Sequence, residues 1–248
     1  MKLLRLASCF LIIFNFFIPT KCISQLHDED SSLYHASINN TVAFYHQVLS
    51  PEGKLYDGIE YIPYDYQITR GSPYFQSTKY SSGYVVYNNI LYENIPLMYD
   101  LVKSKVVLNS YYKIFSIELN NEKITQFGIL GHTFIRISKD SSANGLIKTG
   151  FYDLLYTGKL SLLKKQNKNI QEEYNGSLIE KYILDGTEFY IRKDAKFFSA
   201  NTKKSVLKIL ADRKKDIKQY IRKNKLNIRK DKDQSLVKIV AYYDEITK

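Results

Sequence analysis

The chain has no tryptophan and, in 248 residues, only two cysteines, two methionines, four histidines and five prolines. Each scarcity excludes something. Both cysteines, Cys9 and Cys22, fall in or beside an N-terminal leader, so the rest of the chain offers no thiol, disulfide, cysteine-ligated metal or cysteine nucleophile. The missing tryptophan tells against a sugar-binding platform, which usually recruits indole as well as phenol. His27, His35, His46 and His132 form no zinc-protease helix motif; His35 and His46 lie roughly three helical turns apart, too far to share one ion. There is no G-x-S-x-G elbow, no phosphate-cradling glycine loop and no nucleotide fingerprint. No metal and no cofactor is expected. Beyond the leader no stretch is apolar enough for a membrane span.

The leader consists of Lys2 and Arg5 followed by the short apolar run Leu11 to Ile18. It resembles a secretory signal peptide, residues 1–24, with cleavage expected after Ser24. Lipidation at Cys22 is the competing reading, disfavoured by Lys21 where a small residue is needed. The expectation is therefore an exported protein, periplasmic, envelope-associated or secreted, whose fold rests on its core.

The net charge of +11 is uneven. Residues 25–202 hold 18 Lys and Arg against 19 Asp and Glu, whereas residues 203–248 hold 15 against 6. Two regions follow: 25–202, mainly β with a leading helix near Ser32–Leu49, and a basic helical tail, 203–248. Tyr84 to Tyr92 reads as a hairpin about Asn88-Asn89, since asparagine tolerates the positive φ of a type I′ turn. That turn sets Tyr87 opposite Ile90, Val86 opposite Leu91 and Val85 opposite Tyr92, and both faces near it are apolar, so the hairpin is expected to be covered on both sides. Tyr111–Leu119 and Lys123–Leu130 read as a second hairpin about Asn120-Asn121. Turn signals at Thr157-Gly158, Asp185-Gly186 and Lys193-Asp194 separate further strands, and Asn167–Tyr174 reads as a loop or short helix. In the tail, Val206, Leu207 and Leu210, then Ile217, Tyr220 and Ile221, then Leu236, Val237, Ile239, Val240 and Tyr243 recur at helical spacing. Thr202 is an expected N-cap, and Asp231 with Gln234 an expected capping box. The fold class is α+β: a leading helix, an antiparallel meander of roughly eight to eleven strands, and a helical tail packed on the sheet.

Leu55-Tyr56-Asp57-Gly58-x-Glu60-Tyr61, Gly83-x-Val85-x-Tyr87 and Pro96-Leu97-x-Tyr99-Asp100, with the basic stretch Leu207 to Tyr243, resemble a group of secreted proteins of Bacteroidota-type bacteria. The group has no assigned activity. The resemblance implies an envelope location and carries over no catalytic residue.

Three functions are carried forward. The first is a non-enzymatic contact with an anionic partner (anionic lipid, lipopolysaccharide or acidic glycan) through Lys214, Lys215, Lys218, Arg222, Lys223 and Lys225. Export argues against nucleic acid. The second is a periplasmic hydrolase with a site near Glu60, Glu93, Asp100 or His132, which needs those side chains to converge. The third is an acyl-chain carrier with a curved sheet, which needs an apolar cavity. The 22 tyrosines suit a recognition surface, but equally serve as strand formers.

Overall fold

The computed structural model describes residues 37, 38, 41, 51–110, 114–139, 146–176 and 178–247. The leader and, but for Ser37, Ile38 and Thr41, the helix expected near Ser32–Leu49 lie outside the described residues. The chain divides into two units, Met1–Gln47 and Val48–Lys248, and the second carries every strand named below. These are β1 (Ile59–Glu60), β2 (Ser81–Tyr87), β3 (Ile90–Asp100), β4 (Lys105–Asn109), β5 (Ser116–Glu118), β6 (Ile124–Ile129), β7 (His132–Ile137), β8 (Gly150–Thr157), β9 (Ser161–Asn175), β10 (Leu178–Lys193) and β11 (Lys196–Ser199). Helices α1 (Lys203–Ile209), α2 (Lys214–Lys223) and α3 (Lys232–Ile246) follow. No helix among the described residues is long and apolar enough to cross a membrane.

The strands form one antiparallel sheet in the order β1-β5-β4-β3-β2-β6-β7-β8-β9-β10-β11. The Asn88-Asn89 hairpin has the expected register, with φ of 50° and 63° at its two asparagines. Its two-sided cover is corrected: Val85, Tyr87 and Tyr92 are buried, whereas Leu91 is 53 % exposed. Asn120-Asn121 is also corrected. Asn120 caps a short 3-10 turn, Asn121–Lys123, and β5 and β6 do not pair; β6 instead joins the far side of β2. A simple meander is thus replaced by two runs diverging from the β2–β6 seam.

The sheet is strongly curled. In spatial order β2 and β6 separate β3 from β7, which in a flat sheet would be about 14 Å away. Yet the rings of Tyr99 on β3 and Phe134 on β7 lie 5.2 Å apart, and Tyr99 lies 6.0 Å from Phe151 on β8. The bend has a local cause. Gly83 pairs with Ile95 and Tyr84 with Glu93, so Asn94, at φ 57°, is an unpaired bulge residue that bends β3. Gly83 faces the β6 backbone so closely that a Cβ there would meet the Gly128 carbonyl oxygen at 2.2 Å. Phe75, Tyr99, Phe127, Phe134 and Phe151 fill the concave side, mostly edge to face but with Phe127 stacked on Phe134, taking up the space an acyl chain would need there.

The far half of the sheet uses the same face differently. Leu160, Leu162, Phe189 and Ile191 are covered by Val206, Leu210, Ile217, Ile221, Leu236, Ile239, Val240 and Tyr243, so the helical tail packs on the sheet. Thr202 caps α1 as expected, its side chain accepting from the Ser205 N–H; Asp231 makes no such bond at the start of α3. On the opposite face Ile137, Ile147, Tyr152, Leu163, Tyr190 and Phe197 form a smaller core.

Two expectations about the longest strands are corrected. Asn167–Tyr174 is neither loop nor helix but part of β9, and Asp185-Gly186 is no turn, because β10 runs straight through it. Past Lys164 and Tyr190 no other named strand joins the two, which pair with each other out to Asn175 and Leu178. The polar composition that read as a loop belongs to an arm with one face open to solvent and the other partly covered by backbone, where the Lys168 ammonium donates to Ser72 O and Tyr74 O. Near mid-length it is held by a strap, where Thr69 N–H donates to Lys181 O, Ile183 N–H donates to Arg70 O, and the Arg70 guanidinium lies over the Tyr182 ring.

Lys165 enters the smaller core, its ammonium 3.1 Å from Phe151 O and 4.8 Å above the Tyr152 ring. Burial pulls this amine down to about 8, and burial pushes the Tyr152 phenol up to about 12. Between pH 8 and the ordinary lysine range the unfolded chain holds a proton there that the folded chain has released, so stability rises with pH in that window. Lys165→Met is expected to stabilise the protein at pH 7 by about 1–2 kcal/mol. Urea midpoints of variant and wild type should converge by pH 10; a gap that does not narrow would show the amine to be hydrated.

Candidate anion-binding groove

The tail folds as three helices because each has one apolar stripe for the sheet, and this leaves its lysines on the outer surface. The first turns of α1 bring Lys203 and Lys204, and Lys208 follows at the same helical spacing from Lys204. Lys214 and Lys218 face them from α2, and Arg229 and Lys232 close the far side. These seven cations surround a groove of about 1140 Å³ whose apolar floor is Leu207, Ala211, Leu226 and Ile228. No carboxylate lines it. Among the described residues none of the seven is within ion-pairing distance of an acid.

Three of the tail's acids, Asp212, Asp233 and Asp244, are engaged on the sheet side. Asp212 accepts from the Lys193 ammonium at 3.0 Å and the Tyr243 hydroxyl at 2.8 Å. Burial pushes that carboxyl up, but these two hydrogen bonds outweigh it and hold the group below the usual carboxylate range. Asp233 pairs with Lys164 at 2.6 Å. Asp244 is buried and accepts from the Tyr156 hydroxyl and the Leu160 N–H. Three of the tail's six acids are thus taken up on the sheet side, while among the described residues the groove's cations carry no ion pair. A cleft with one sign of charge and a low-dielectric floor concentrates counter-ions.

Of the six expected binding residues, the groove takes Lys214 and Lys218. Lys215, Arg222, Lys223 and Lys225 are exposed but do not line it. At 100° per residue Lys215 and Arg222 sit further round α2, and Lys225 lies past its end. Lys203, Lys204, Lys208, Arg229 and Lys232 complete it. For the α1 lysines the signal in the sequence was the Lys204, Leu207 and Lys208 stripe, legible only once the α1–α2 pairing is known.

The four residues of the hydrolase reading are not brought together. Glu60 is exposed on β1, Glu93 is exposed near the hairpin end of β3, and Asp100 is buried at its other end. Among the described residues, no hydrogen bond or ion pair joins any two of them. His132 does have a partner, which the sequence reading did not supply: its Nδ1 lies 2.7 Å from Oδ2 of Asp153 on the neighbouring strand. Its Nε2 lies 3.1 Å from the Gln76 side-chain amide, so both ring nitrogens are engaged. Asp153 stands beside Lys164, which leads on to Asp233; burial raises its carboxyl, with His132 and Lys164 opposing. This alternating row is a polar seam between the two apolar cores.

Among the described residues no group of three or more His, Cys, Asp or Glu is placed to hold a metal ion. Comparison with protein-family models, with curated proteins and with solved structures finds no match.

Proposed function

We propose that this is a non-enzymatic, exported protein, secreted or held at the cell envelope, that binds an anionic amphiphile in the groove between α1, α2 and the start of α3. One observation carries the reading: seven cations with no paired acid among the described residues stand over an apolar floor. Phosphate or carboxylate groups would meet the rim, and hydrocarbon next to them would cover Leu207, Leu226 and Ile228. An anionic lipid headgroup, that of lipopolysaccharide included, meets both requirements. An acidic glycan would satisfy the rim alone.

The test is co-sedimentation with vesicles containing an anionic lipid. Lys204→Glu with Lys214→Glu and Lys218→Glu should weaken binding at least about tenfold. Lys215→Glu with Arg222→Glu and Lys223→Glu makes the same charge change outside the groove and should cost less than about threefold. Equal losses would reduce the effect to overall charge, and no binding at low salt would remove the groove from consideration.

A further inference from the structure

The β9–β10 arm ends in side chains that no described residue covers. Tyr174 and Ile179 stand directly opposite one another and Leu178 follows on the other face; they are 73 %, 62 % and 70 % exposed. Behind them lies an acidic collar. Glu172 is paired with Lys181 at 2.9 Å, whereas Glu173 and Glu180 face each other across the ladder and, among the described residues, neither has a cation partner. Like charges directly opposite in a ladder destabilise it, and apolar side chains this exposed at the end of an arm mark an interaction site.

We propose that this tip docks into the basic groove of a second copy of the chain. The two surfaces are complementary in both respects that matter. An apolar point with an acidic collar meets an apolar floor with a cationic rim, so Tyr174 and Ile179 cover Leu207, Leu226 and Ile228 while Glu173 and Glu180 face the lysines. The acidic collar disfavours an anionic bilayer as the tip's own target. Because tip and groove are different patches, the contact is heterologous, and its repetition builds a ring or an open chain of copies. The inference rests on the anion-binding reading of the groove but assigns the tip independently.

Sedimentation velocity on the full chain, from low concentration to about 100 μM, tests it. Wild type should show concentration-dependent association. Tyr174→Ser with Ile179→Ser, on an exposed arm with no core to lose, should abolish association yet leave vesicle binding intact. Glu173→Lys with Glu180→Lys, and separately Lys204→Glu with Lys214→Glu and Lys218→Glu, should each give monomers. Mixing those two charge-reversed proteins should restore association, because each then offers what the other needs. A wild type that stays monomeric at the highest concentration, or a mixture that does not associate, overturns the proposal. Loss of vesicle binding without loss of self-association would instead overturn the amphiphile reading alone.

Discussion

Asp100→Ala should destabilise the Val48–Lys248 unit by about 3–5 kcal/mol, the largest loss expected from a single side chain here. The carboxylate is fully buried at the end of β3. It accepts from the Tyr61 hydroxyl at 2.8 Å, from the Tyr64 hydroxyl at 2.9 Å, and from the N–H groups of Val102 and Lys103, both at 2.9 Å. The Lys103 ammonium lies over both phenol rings, at 4.8 and 4.7 Å. One anion therefore fixes the β3–β4 turn and ties the segment around Tyr61 and Tyr64 to the sheet. Alanine strands two hydroxyls and two amides, whereas Asp100→Asn keeps an acceptor and should cost roughly half as much. Urea unfolding measures the difference; a loss below about 1 kcal/mol for alanine would mean that water replaces the carboxylate. The same cluster sets an alkaline limit. Burial first, then hydrogen bonds to Asp100 among others, push the Tyr61 and Tyr64 phenols far up. The folded chain keeps protons that the unfolded chain loses above pH 10, so stability falls as pH rises beyond that point, with phenolate absorbance appearing as the protein unfolds.

Asp153→Ala should cost about 2–4 kcal/mol, because it leaves His132 and Lys164 facing an empty site between two cores. Asp153→Asn is the informative companion. Its carbonyl still accepts from the His132 Nδ1–H, and it carries no buried charge. The Asp153 carboxyl is raised in the folded state, so its stabilising contribution is complete below the ordinary carboxylate range and declines as pH rises through the raised value. At neutral pH the asparagine variant should lie within about 1 kcal/mol of wild type. In a cycle with His132→Ala, Asp153→Ala should show a coupling of about 1–2 kcal/mol; simple additivity would make the seam two separate contacts.

What the sequence disclosed followed the range over which each residue acts. The Asn88-Asn89 register, the Thr202 cap and the three apolar stripes of the tail depend on neighbours within a few positions, and they emerged as read. The pairing of β6 with β2 rather than β5 depends on a curl produced at Asn94, a residue with no local signature of its own. Asn167–Tyr174 lacked apolar alternation because one face of the arm is open and the other meets backbone carbonyls rather than a core, and period is informative only where apolar burial imposes it. The groove was half legible. Charge asymmetry pointed to the tail, but the selection of Lys204 and Arg229 over Lys215 and Lys223 comes from how α1 and α2 meet.

The arm has one further consequence, for its alignment. Residues 165–173 are almost wholly polar, so sliding one strand past the other by a residue pair would bury or expose little. Its register is therefore inherited from the root, where Leu163 pairs with Tyr190 and Leu162 with Ile191, and is pinned again at the Arg70 strap. Gly71 lets that strap approach, since a Cβ there would meet Ile183 at 2.8 Å. The root and strap thus act as two gauge marks on a ruler, and the place where Tyr174 and Ile179 meet is measured out from them rather than chosen at the tip.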